Sequence, residues 1–137
     1  MNLINKYFLV KEIKSKEGIV HFRRWRILST PLLKIYFHGI YMADEDAHLH
    51  NHPWNYWSVS VKGRFIEKTS NGFKYVPPFK IIKRKAEQFH SINLLLTKKV
   101  FTFFVAFGKK RDWGYDVNGT WVDHITYRKL KNSGKLC

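Results

Sequence analysis

Short runs rich in Val, Ile, Phe, Tyr and Trp recur along the chain, and Gly, Asn, Pro or Lys closes each of them. No other feature narrows the fold as much. β-Branched and aromatic side chains suit a pleated, half-buried surface, and runs of about 4–8 of them between turn signals read as strands. The spacing predicts strands over Leu32–Met42, from His48 through Lys62 to the stop at Gly63, and over Arg64–Thr69, Phe73–Val76, Phe79–Arg84, Gln88–Leu96 and Val100–Phe107. Ser70-Asn71-Gly72 and Asn118-Gly119 have hairpin-turn chemistry, and the second predicts a closing hairpin of Asp112–Val117 with Thr120–Arg128. Pro77-Pro78 breaks the pairing, because proline offers a ladder no donor. Asp44-Glu45-Asp46 reads as an acidic corner, residues 3–14 as the one helical stretch, and the chain after Lys129 as a loose polar tail. Many short strands with no linker and no repeat imply an all-β sandwich or barrel. At 137 residues this is one domain over 1–137, with its core at about 30–128 between an N-terminal arm and a C-terminal tail.

Composition bounds the partners. Hydrophobic residues make up 45% of the chain, too many for a disordered one. Lys and Arg number 25 against 10 Asp and Glu, a net charge of +15. Such an excess raises the affinity for any polyanion through counterion release, so nucleic acid stands among the candidate partners. The cations are mostly Lys and are scattered along the chain, which serves solubility equally well. The single cysteine, Cys137, permits no disulfide within one chain and fits a reducing cytoplasm. No apolar run approaches the ~18 residues of a membrane span. Charges interrupt the N-terminal apolar stretch, which therefore does not read as a signal peptide.

Three of the seven histidines fall within five residues, in His48-Leu49-His50-Asn51-His52. Side chains two apart on a strand share a face, so a pair of these imidazoles can bind one metal ion from one strand. His50 with His52 is the favoured pair, and His48 has the parity to replace His52. A third ligand must come from a strand distant in sequence, and His90 within Glu87–Ile92 is placed for it. Imidazole suits Fe, Zn, Cu, Ni and Mn. Even positions from His50 to Ser60 read His, His, Trp, Tyr, Ser, Ser, the polar and aromatic lining of a ligand cavity; odd positions after Pro53 form an ordinary packing face. Ser58 is thereby a candidate substrate contact. Arg111, just past Val100–Phe107, either pairs with Asp112 or Asp116 on the surface or grips an anionic group with its planar fork. Trp113, like Trp121, reads first as core or rim packing and second as a surface for stacking a base or sugar. His38 and His124 read as structural or surface residues, and His21 as part of a basic segment with Arg23, Arg24 and Arg26.

His50-Asn51-His52 resembles the His-x-His of the first cupin motif. The motif's Gly corresponds to Gly63, which puts Tyr56 where cupins carry an acidic ligand. His90 matches the histidine of the second motif, with Lys85-Ala86-Glu87 replacing the usual Pro-x-Gly. A narrower resemblance covers about residues 36–128. It runs through His50-Asn51-His52-Pro53-Trp54, Trp57-Ser58, Lys62-Gly63, His90, Gly108–Tyr115 and Trp121–Tyr127 and is similar to small cupin-like proteins of phages and bacteria. Members of that group more often carry Asp where this chain has Asn51. The resemblance implies a double-stranded β-helix, the jelly-roll barrel of the cupins. It also implies metal ligands His50, His52 and His90, commonly a homodimer, and the host cytoplasm if a phage encodes the chain.

A site of three histidines without a carboxylate is similar to that of the thiol dioxygenases, which are cupins that hold Fe(II) in this way. There a Tyr assists the reaction, a part that falls to Tyr56 here. The leading expectation is a metalloenzyme of the Fe(II) oxygenase kind acting on a small or anionic substrate, with Zn, Ni or Mn as other candidate ions. Two alternatives differ in class. One is a nucleotide-sugar epimerase or isomerase in which His90 works with Tyr56 or Glu87 as acid and base. The other is a phage-type accessory module that binds a nucleotide or other polyanion without catalysis.

Overall fold

The computed structural model describes residues 3–44 and 48–134; Glu45 and Asp46 of the acidic corner and Cys137 lie outside them. The elements, in chain order, are α1 (Leu3–Phe8), β1 (Leu9–Lys14), β2 (Val20–Ser29), β3 (Leu33–Ile40), β4 (Trp54–Lys62), β5 (Phe65–Thr69), β6 (Gly72–Val76), β7 (Ile81–Arg84), β8 (His90–Leu95), β9 (Val100–Lys109), β10 (Gly114–Val117), β11 (Thr120–Asp123) and α2 (His124–Asn132). Six strands form one antiparallel sheet in the order β1-β2-β3-β9-β4-β7. Three more form β6-β5-β8, and β10-β11 is a hairpin. His50 joins these two pieces into a second layer, since it bridges His90 on one side and Tyr115 on the other.

Alternation sets the inner face of the large sheet. Tyr36, His38 and Ile40 of β3 are buried, as are Val100, Thr102, Phe104 and Ala106 of β9 and Tyr56 and Ser60 of β4. Phe65 and Glu67 of β5 and Val76 of β6 face them from the second layer. One cluster joins Tyr36, Tyr56, Phe104 and Ala106 with Trp54, and another joins Ile40, Phe65, Val76 and Val100 across the two layers. Tyr56 stacks on Phe104 with ring centroids 4.5 Å apart. Aromatic pairs of this kind add about 0.5–1.5 kcal/mol beyond the area they bury. The chain passes from one layer to the other at Gly63, where φ is +83° and a Cβ would stand 2.3 Å from the Lys99 carbonyl oxygen, so only glycine fits.

Several local expectations are corrected. The helix ends at Phe8, and Leu9–Lys14 is an edge strand instead. A second strand, Val20–Ser29, also precedes Leu33. Arg23, Arg24 and Arg26 interrupt its apolar run, which hides a strand whose register is set by pairing with β1 and β3. The closing hairpin is shorter than its pattern implies. β11 stops at Asp123, whose carboxylate accepts the N–H of Ile125 (3.1 Å) and of Thr126 (2.9 Å) and starts helix α2. The final segment that reads as tail after Lys129 is helical through Asn132.

Candidate metal centre and its cavity

His50 and His52 stand just before β4, not on it. His50 is opposite His90, and the pair exchange both backbone hydrogen bonds, at 2.9 and 2.8 Å. Their side chains therefore leave the second layer side by side. The intervening Asn51 is fully buried and turns the other way. Its N–H donates to the Gly114 carbonyl (2.9 Å), and its Oδ1 accepts the Gly114 N–H (2.7 Å) and, more loosely, the Trp121 indole N–H (3.4 Å). A Cβ on Gly114 would stand 2.2 Å from the Val122 carbonyl oxygen, so the loop is pinned where β10 admits only glycine. His52 is held by its N–H to the Ala86 carbonyl at 3.2 Å. Backbone bonds on both flanks thus fix the His-x-His segment, a stiffer arrangement than one strand offers.

The three rings form a triangle with centroid separations of 4.7 Å (His50–His90), 5.0 Å (His52–His90) and 5.2 Å (His50–His52). One ring nitrogen from each lies within 4.8 Å of the others. Zn–N bonds of about 2.1 Å at tetrahedral or octahedral angles need nitrogens roughly 3.0–3.4 Å apart. The His52 and His90 Nε2 atoms are 2.8 Å apart, so that edge of the triangle would open by a few tenths of an ångström around an ion. Glu67, buried on β5, settles the tautomer of His90. Its Oε1 lies 3.1 Å from His90 Nδ1, which donates to it and leaves the Nε2 lone pair facing the centre. His52 then donates its Nε2 proton to that lone pair, a hydrogen bond that an ion would replace. A carboxylate behind a ligating histidine orients the ring and raises its basicity.

The electrostatics suit a cation. Burial above all, with the Lys11 charge adding to it, holds His50 well below the ordinary histidine range. Burial above all, with the Arg24 charge adding to it, does the same for His52. Metal binding requires neutral imidazoles, and these two are neutral at pH 7. Burial alone would push Glu67 up, but the His90 N–H and the Arg84 guanidinium outweigh it and hold the carboxyl below its usual value. Arg84 Nη2 donates to both Glu67 oxygens at 3.1 Å, tying the second layer to β7. Burial, then the Glu67 charge, raises the Tyr56 phenol, so it stays protonated; its hydroxyl is 3.3 Å from His90 Nε2.

These groups open onto a cavity of about 560 Å³ lined by both layers and by α2. Drug-sized ligand sites fall at roughly 300–1,000 Å³. The structure brings His50, His52, His90, Tyr56, Ser58 and Trp113 to this one cavity. Trp113 stacks on His124 at 4.5 Å and meets His50 edge-on at 6.3 Å. Arg111 stands apart from the cavity wall. Its guanidinium lies 5.0 Å over the Trp121 ring, and its Nε donates to the Asp112 carbonyl. His48 takes no place among the ligands, because its Nδ1 is 2.9 Å from the Tyr127 hydroxyl. His38 is buried on the cavity wall, 4.9 Å from Phe104. Glu87 is exposed and off the cavity; the acid that meets His90 is Glu67. The sequence carried one signal for it: Glu67 has the parity of Phe65, an acid on an apolar face.

No protein-family model and no curated protein matches the chain. Solved structures do match it. A cupin-2 domain from Rhodospirillum rubrum superposes with a TM-score of 0.61 at 9% identity, over 90% of this chain and 82% of that one. The Fe(II) form of HppE superposes with 0.58 at 13% identity, over 71% of this chain and 56% of that one. A chain from the DMSP lyase structures gives 0.54 at 18% identity, over 64% of this chain and 47% of that one. The chain thus spans about half the length of the last two. At such identities the likeness is one of fold.

Proposed function

On a cupin jelly-roll barrel, we propose that this chain is a three-histidine metalloenzyme of the Fe(II) oxygenase kind, acting on a small anionic substrate. The observation that carries the reading is the convergence of His50, His52 and His90 on one cavity, with Glu67 behind His90. His50, His52 and His90 would hold a divalent ion through neutral imidazoles, and the ion would supply redox chemistry as Fe(II), or Lewis-acid chemistry as Zn, Ni or Mn. Glu67 holds the His90 ring by its Nδ1 proton and balances the Arg84 charge. Tyr56 keeps its proton and presents a donor to whatever stands before His90 Nε2. Trp54, Phe104 and Trp113 give the cavity apolar walls beside the histidines.

Metal analysis of protein purified without a histidine tag tests the reading. About one equivalent is expected, with preference established by reconstitution with Fe, Mn, Ni and Zn. Less than a few tenths of an equivalent, not restored by any of them, would refute it. A second reading rests on the Glu67–His90 pair, which with Tyr56 can serve an isomerase as acid and base without a metal. Turnover that survives complete chelation would favour it.

A further inference from the structure

The cavity has a second polar wall that the histidine centre does not use. Lys11 of β1 pairs across strands with Arg24 of β2, and Arg24 pairs with His38 of β3. All three line the cavity, as does Arg128 of α2. Like charges placed directly opposite one another on a sheet face destabilise it. Lys11 beside Arg24 is such a pair, and no carboxylate bonds to either among the described residues. Of the acids on the same wall, Glu67 is taken by Arg84 and His90, and Asp44 Oδ2 accepts the Ile92 N–H at 2.7 Å.

Arg24 is also held in place. Its Nε donates to His38 Nε2 at 3.0 Å, and its guanidinium packs 4.7 Å from the Tyr36 ring and 6.0 Å from Trp54. Its two terminal nitrogens make no hydrogen bond among the described residues. A planar donor fork, oriented by a neutral histidine and aromatic faces, is a ready anion grip. Burial, then Arg24 and Arg128, lowers the proton affinity of Lys11, which places the three cations within one field. The aromatic ring between the two walls is Phe104, packed 4.9 Å from His38 and 5.7 Å from His52.

We propose that Arg24, Lys11 and Arg128 form an anion subsite that takes the phosphoryl group of a small organic ligand, whose other end reaches His50, His52 and His90. Three cations favour a dianion over a carboxylate, which would leave two of them unbalanced. The subsite stands on its own geometry; only the placement of the ligand's other end rests on the metalloenzyme reading.

The test uses full-length protein freed of metal, so that phosphate cannot bind to an ion. Inorganic phosphate and acetate are titrated by calorimetry at ionic strength matched with chloride, into wild type, Arg24→Gln, Lys11→Gln and Lys83→Gln. Lys83 is exposed, off this cavity and over Trp57, so its loss removes the same charge elsewhere. Wild type is expected to bind one phosphate, with acetate weaker. Arg24→Gln and Lys11→Gln should each lose about tenfold or more, and Lys83→Gln should stay within about twofold. If Arg24→Gln fails to fold, Arg24→Lys keeps the charge but not the fork and should still bind about tenfold more weakly. Absence of saturable phosphate binding, or equal losses in Arg24→Gln and Lys83→Gln, would overturn the subsite. Acetate binding as tight as phosphate would overturn the phosphoryl assignment. Metal uptake without phosphate binding refutes the subsite alone, and phosphate binding without metal uptake refutes the metal reading alone.

Discussion

Glu67→Gln isolates the contribution of one buried carboxylate to the metal centre. Glu67 is 2% exposed and serves two donors: His90 Nδ1 at 3.1 Å and Arg84 Nη2 at 3.1 Å to both oxygens. Glutamine has the same shape but only one accepting oxygen. Whichever partner that oxygen keeps, the amide NH2 then faces the other donor, and the negative charge is gone. Loss of a carboxylate behind a ligating histidine typically weakens metal binding about 10–100-fold, or ~1.4–2.7 kcal/mol. The metal-free protein also suffers. One charge-assisted hydrogen bond is worth about 1.5–3 kcal/mol. A fully buried ion pair broken on one side costs about 3–5 kcal/mol. Arg84 keeps 14% of its side-chain surface in contact with solvent, which moves the expectation to the lower range, about 2 kcal/mol. The assays are competition for Zn or Ni against a chromophoric chelator, and urea unfolding of the metal-free protein. Metal affinity within about threefold of wild type, in a protein whose unfolding midpoint has dropped as expected, would refute the orienting role of Glu67.

Tyr56→Phe should leave metal content unchanged, because the ring still stacks on Phe104, while turnover falls about 10²-fold or more if the hydroxyl donates a proton; parallel loss of metal would instead make Tyr56 structural. Asn51→Ala removes the buried acceptor of the Gly114 N–H and is expected to lower stability by about 1–3 kcal/mol in urea and to weaken metal uptake, since the segment holding His50 and His52 loses its anchor; unchanged metal affinity would separate the loop from the centre. Acidification should destabilise the metal-free protein. Burial holds His50 and His52 below their ordinary value, so between that folded range and about pH 6.5 the unfolded chain binds protons that the folded one does not. Stability is then complete above that window and falls as the pH drops through it. The depressed Glu67 carboxyl acts in the same direction at lower pH. Urea midpoints that are flat from pH 7.5 to 5, or that rise, would contradict this sign, whereas His50→Ala/His52→Ala should flatten the slope.

What the sequence settles by itself is local. Alternation and turn chemistry mark the strands from Leu33 to Val117, because a side-chain period of two is written directly into neighbouring residues. The His-x-His spacing singles out His50 and His52, and a lone histidine in a strand-like run supplies His90. Elements whose state depends on partners stay hidden. β1 and β2 exist because β3 offers an edge to pair with; on their own, Leu9–Lys14 read as part of a helix and the residues around Arg23, Arg24 and Arg26 as a basic segment. α2 starts at an Asp123 cap inside a stretch that alternates like a strand. Tertiary structure also decides the chemistry of the site. Glu67 meets His90 from 23 positions away, and Lys11, Arg24 and His38 become neighbours only across three strands. Sheet register, not sequence distance, determines which side chains share a cavity, and register emerges only when both layers close over one core.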